Sequence, residues 1–175
     1  MIGFVLALAL LILPLQWVLS ILIAAVFHEL CHYLAVRLCG GEMVGLTLTP
    51  HGARMEVGGL SQWQALICAL AGPAGGLLLL VFVRWIPMIA ICGACQSLFN
   101  LIPVYPLDGG RALRCLLEWR FPRQADRICL WVQRICLTCI AGLGLYGTLI
   151  LKLGILPLTM SVLIFAKIAC NAPPH

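Results

Sequence analysis

From Gln16 to Val36 the chain is charged at one place only, and that place holds His28-Glu29-Leu30-Cys31-His32. An uninterrupted apolar run of this length is what a bilayer core of about 30 Å demands of a helix that crosses it. The polar residues inside it therefore have to be accommodated within a membrane helix. A carboxylate at that depth costs a few kcal/mol by insertion scales and persists chiefly where function needs it. The rest of the chain agrees: 63% of its 175 residues are hydrophobic and 10% are charged, against roughly 25% charged in soluble domains.

The spacing supplies the chemistry. Residues four apart share a helix face, so His28 and His32 can grip one metal ion through two imidazoles. Glu29 lies a further 100° round, able to reach a metal-bound water without being a ligand. This is the logic of H-E-x-x-H. A polar cluster that packs helices together is the alternative use of the same residues. A catalytic zinc site takes three protein ligands and keeps one position open. The chain offers Glu42, His51, Glu56, Asp108, Glu118, Asp126, His175 and its cysteines. The soluble extension H-E-x-x-H-x-x-G-x-x-H fails, because Ala35 and Leu38 stand where Gly and His would be needed.

Asp108 is the best of these candidates. It ends an apolar segment in Asn100-Leu-Ile-Pro-Val-Tyr-Pro-Leu-Asp108-Gly-Gly-Arg111. Pro103 and Pro106 break the helix there, and Gly109 and Gly110 allow a sharp turn beside a ligand. An N-cap for a following short helix is the other role Asp108 suits.

Six apolar segments are expected, at 2–13, 16–39, 61–83, 87–104, 127–150 and 155–170. The fold class is thus an α-helical integral membrane protein of about six spans, in one domain over 1–175. Met1 to Gln16 lacks the basic flank and cleavage pattern of a signal peptide and is read as retained. Between the second and third segments, Val44, Leu46 and Leu48 alternate with Gly45, Thr47 and Thr49. Ala53, Met55 and Val57 alternate with Arg54 and Glu56, across a turn at Pro50-His51-Gly52. That pattern predicts a β-hairpin. Arg111 to Arg120 reads as a short amphipathic helix with Trp119 in an interface belt.

With six spans the loops at 40–60 and 105–126 share a side. That side carries Arg37, Arg54, Arg111, Arg114, Arg120, Arg123 and Arg127, against Arg84 and Lys152 on the other. The positive-inside rule puts the basic side, and both termini, in the cytoplasm. The net charge of +5 is thus a topology signal. Nucleic acid is excluded as a partner, since no basic stripe with interleaved aromatics accompanies it. Of the ten cysteines most lie in apolar stretches, as small packing residues of membrane helices do, and no secreted disulfide framework is implied.

H-E-L-C-H on an early apolar segment, Ala71-Gly72-Pro73, and then N-L-I-P-V-Y-P-L-D-G-G-R resembles the site-2 protease family of intramembrane zinc metalloproteases. In detail it is most similar to the stage IV sporulation protein FB-like branch. The resemblance covers roughly residues 16 to 120 strongly and the last two spans weakly. It implies Zn2+ held by His28, His32 and Asp108, with Glu29 as general base and Asn100 near the substrate or oxyanion. It implies cleavage of a membrane-tethered protein, such as a pro-sigma factor, in a bacterial-type cell membrane, with the centre opening toward the cytoplasm. A membrane regulatory protein is a further partner of that scheme. The chain departs from the pattern at Cys31, where relatives usually carry Gly. The Asn expected shortly after A-G-P is replaced by Ala74-Gly75-Gly76, and a C-terminal CBS domain is not expected. A metal transporter and a catalytically silent membrane scaffold are the competing readings. The first would spread its ionisable groups over several helices, and the second would have lost His28 or Glu29.

Overall fold

The computed structural model describes residues 14–49 and 52–149. The expected segments at 2–13 and 155–170, the turn at Pro50-His51 and both termini lie outside them. Contacts cluster into two compact units, 1–101 and 102–175.

In the first unit, α1 spans Leu15–Leu38. It starts directly after Pro14, a residue helices accept at their start because no N–H is needed there. It ends where Gly40 takes φ +75°. Gly40 N–H donates to Arg37 O at 3.2 Å and Gly41 N–H to Val36 O at 3.0 Å, a left-handed glycine cap that satisfies the last carbonyls. Strands β1 (Glu42–Thr49) and β2 (Gly52–Gly58) follow. They pair antiparallel from Glu42 opposite Gly58 to Thr49 opposite Gly52, and the register shifts between Met43 and Gly45.

Helix α2 covers Gln62–Leu78 and continues as a 3-10 turn, Leu79–Phe82. Ser61 and Gln64 form a capping box. Ser61 N–H donates to Gln64 Oε1 at 2.8 Å, and Gln64 N–H donates to Ser61 Oγ at 3.4 Å. The Gln64 amide also donates to Cys39 O at 3.0 Å, which ties the start of α2 to the end of α1. Helix α3, Pro87–Asn100, begins with proline in its first turn, where the missing N–H costs nothing.

Helices α1, α2 and α3 pack on one another, and the packing is inside-out by soluble standards. Ala24, Ala90 and Ser97 are wholly buried and His28 is 2% exposed, while Val26 and Leu98 are more than 60% exposed. Lipid is as apolar as leucine, so large side chains gain nothing by facing inward. Small residues that let backbones approach hold the interface instead. Gly76 shows this: a Cβ there would overlap Ser97 Oγ and come to 2.8 Å from the carbonyl oxygen of Gly93 on α3.

The second unit holds α4, Asp108–Arg120, and α5, Ala125–Leu149. Arg114 binds Glu118 on its own helix at 2.7 Å and Asp126 on α5 at 3.2 Å. Helix α4 starts three residues before the expected Arg111, because Asp108, Gly109 and Gly110 already form its first turn. The fourth apolar segment was expected to reach residue 104, but its helix ends at Asn100. Pro103 and Pro106 forbid its continuation. Among the described residues three helices are long and apolar enough to cross a membrane: Leu15–Leu38, Gln62–Phe82 and Ala125–Leu149. At roughly 21 Å, α3 is too short to join them.

Gly76→Ala is expected to lower the thermal midpoint, as overpacking costs about 1–3 kcal/mol. Ser97→Ala removes a buried hydroxyl that has no hydrogen-bond partner among the described residues and is expected to keep or raise the midpoint. Thermal unfolding in detergent, followed by fluorescence, measures both.

Candidate metal centre

The imidazoles of α1 are fixed by the two helices packed against it. His32 Nδ1–H donates to the backbone carbonyl of Cys68 on α2 at 2.7 Å. A carbonyl only accepts, so this bond sets the tautomer: neutral His32 carries its lone pair on Nε2. Asn100, at the end of α3, places its Nδ2 3.2 Å from His28 Nε2. The two rings stand nearly edge-to-face, with 79° between their planes. Their Nε2 atoms are 3.2 Å apart. Two Zn–N bonds of about 2.0–2.1 Å at a tetrahedral angle would separate the nitrogens by roughly 3.3–3.4 Å. Two imidazole nitrogens at this distance suit a shared cation.

The sequence of α2 makes the arrangement possible. A Cβ on Gly72 would lie inside the His32 ring, so only glycine admits the imidazole against this helix. Pro73 sits within α2 and has no N–H to give to the carbonyl of Ala69, which loosens the helix beside Cys68. Histidine ligands characteristically donate their second ring N–H to such an outer partner, which fixes ring orientation.

Asp108 is buried as the first residue of α4. The N-cap position falls to Leu107, which makes no side-chain cap, so Asp108 does not act as the N-cap. Its negative charge is favoured by the helix dipole. The preceding loop is folded tightly. Leu107 N–H donates to Val104 O at 2.9 Å, and a Cβ on Gly110 would overlap the backbone of Val104 and Tyr105. His28, His32 and Asp108 offer two imidazoles and one carboxylate, a donor set that fits zinc.

Glu29 is outside this group and exposed on α1. Cys31 is outside it too. Its Sγ rests on Gly75 of α2, where a Cβ would overlap it. Cys31 is therefore a packing residue between α1 and α2 and not a fourth donor. Two contributors escaped the sequence reading: the Cys68 carbonyl and the contact of Gly72 with His32. The Ala71-Gly72-Pro73 motif marked the place without its partner. Ser61-x-x-Gln64 is a capping-box pattern that could have located the start of α2.

No protein-family model matches the chain. Over 162 residues it is 33% identical to a candidate zinc metalloprotease of Synechocystis sp., covering 80% of this chain and 41% of that protein. It is 32% identical over 122 residues to the candidate zinc metalloprotease Rip3 of Mycobacterium tuberculosis, covering 58% and 30%. To a zinc metalloprotease of Methanocaldococcus jannaschii it is 26% identical over 113 residues, covering 57% and 33%. The chain thus spans well under half the length of these curated relatives. Among solved structures it resembles a site-2 protease from Methanocaldococcus jannaschii, with a TM-score of 0.65 and 19% identity, over 99% of this chain and 87% of that one. That likeness carries the mostly helical fold.

Gly72→Ala is expected to displace the His32 ring and weaken metal binding about 10–100-fold, the usual effect of disturbing a ligand's outer support. Gly142→Ala, where a Cβ meets nothing within 4 Å, is expected to leave it unchanged. Competition with a chromophoric zinc chelator measures both.

Proposed function

We propose that this chain is an intramembrane zinc metalloendopeptidase of the site-2 type, acting on a membrane-tethered protein. The observation that carries the reading is the convergence of the His28 and His32 Nε2 atoms within a membrane-helix bundle. Zinc metalloprotease relatives support it.

His28 and His32 on α1 and Asp108 at the start of α4 are the residues that would hold zinc. Zinc bound there would supply Lewis-acid chemistry, acidifying water and polarising a peptide carbonyl. Glu29 is assigned as general base on its position next to His28, 100° round the helix. Its carboxylate takes a proton from the attacking water and returns one to the leaving amine. Asn100 holds an amide N–H beside His28 Nε2, where it can donate to negative charge developing on the carbonyl oxygen.

A peptide bond inside a helix is closed to attack, so the substrate must unwind before cleavage. The β1–β2 hairpin next to α1 supplies strand edges on which an unwound segment could pair by strand addition. The substrate class that suits this chemistry is a membrane-tethered pro-form of a transcription factor, as in the sporulation branch. The arginine-rich loops favour a cytoplasmic opening.

Glu29→Gln is expected to retain zinc and lower cleavage of a co-expressed tethered pro-factor by about 10²–10⁴-fold, the usual contribution of a general base. Full turnover by that variant would refute the mechanism. Asp108→Ala is expected to lower zinc per protein, measured by elemental analysis after dialysis. Unchanged stoichiometry would remove Asp108 from the ligand set.

A further inference from the structure

The second unit carries an excess of positive charge that its own acids do not balance. Glu118 and Asp126 both engage Arg114. Arg120, Arg123, Arg127 and Arg134 are all exposed, and among the described residues none of them has a carboxylate partner. Contrary to the sequence expectation, aromatic rings do stand among these basic residues: Trp119, Phe121 and Trp131 are 54%, 46% and 59% exposed.

Two of the arginines already lie on these rings. The Arg120 guanidinium sits 5.0 Å from the centroid of Phe121, and that of Arg134 sits 5.8 Å from Trp131. Trp131 is three residues before Arg134, so the Arg134 side chain runs back along α5 toward its N-terminus. This is the direction a long cationic side chain takes when its Cα lies in the hydrocarbon and its head reaches for the interface. Arg134 stands roughly 14 Å from the start of α5. From Ile135 to Leu149 the helix has no charged residue. Arg127, Trp131 and Arg134 follow i, i+4, i+7 spacing and share one face. The elbow between α4 and α5 and the first turns of α5 thus form a band of cations and amphipathic rings on a helix apolar enough to cross a membrane.

We propose that the 119–134 elbow is a binding surface for anionic phospholipid headgroups. Arg120, Arg123, Arg127 and Arg134 meet the headgroup phosphates, and Trp119, Phe121 and Trp131 settle at the boundary with the acyl chains. Charge complementarity carries the choice of lipid, and the rings place it at the membrane surface. Lipid binding there does not depend on proteolytic activity.

The test is native mass spectrometry of the full chain released from detergent, with phosphatidylglycerol or phosphatidylcholine of matched acyl chains added. The wild type is expected to retain phosphatidylglycerol in preference to phosphatidylcholine. Each of the four Arg→Gln changes, made singly, is expected to reduce that preference about fivefold, the equivalent of roughly 1 kcal/mol per basic residue near a membrane surface. The four Arg→Lys changes together are expected to keep most of it, and Arg84→Gln, outside the elbow, all of it. Equal retention of the two lipids by the wild type would overturn the proposal, as would single Gln variants that keep the full preference. Inorganic phosphate at the same concentration is expected not to displace the lipid. Displacement by phosphate would show a general anion site, displacement by a soluble acidic peptide would show a protein-docking site, and either would overturn the proposal.

Discussion

The absence of a side chain at Gly72 is the constraint on which the first unit depends. The His32 ring occupies the volume a Cβ would need, and only that closeness lets His32 Nδ1 reach the Cys68 carbonyl. Without that bond the tautomer and direction of the ring would be free. With it, the Nε2 lone pair is aimed at the partner nitrogen of His28. A backbone carbonyl is a stiff anchor, because it moves only with its helix.

The same closeness explains the composition of the interface. Gly75 receives Cys31 and Gly76 receives Ser97, so three glycines in one turn and a half of α2 serve three different neighbours. In lipid no hydrophobic force presses helices together, and contact between small residues does that work. One ring nitrogen of each buried imidazole meets a polar group from another helix, Cys68 O for His32 and Asn100 for His28. A polar group buried without that pairing would cost a few kcal/mol.

The second unit is organised by a different rule. Proline at 103 and 106 ends the preceding helix, and two glycines after Asp108 let α4 start at once with a carboxylate at the positive end of its dipole. Arg114 then gathers the two nearby acids and leaves the remaining arginines to the interface. In α5 charge is sorted along the helix: cations lie in its first turns, and Ile135 to Leu149 carries none.

Much of this was legible in the residues. His28, Glu29 and His32 declare their spacing on a helix, and a carboxylate in an apolar run needs a reason to be there. Asp108 stood out because few donors remain and its neighbours are helix breakers. The alternation at 44–57 announced a strand pair. The sequence was less informative where two elements meet. It placed the last residue of the fourth segment at 104, because apolar character runs on past Asn100 although the helix does not. It marked Cys31 only as a departure from the family pattern, since the sequence does not say which residue faces it. The sequence by itself determined the membrane setting, the donor types and their helical spacing, because hydropathy and periodicity are local properties. Only the tertiary structure decided which carbonyl orients His32, that Cys31 faces Gly75, and that Asn100 reaches His28. Those depend on how closely two backbones approach, and no single segment encodes that distance.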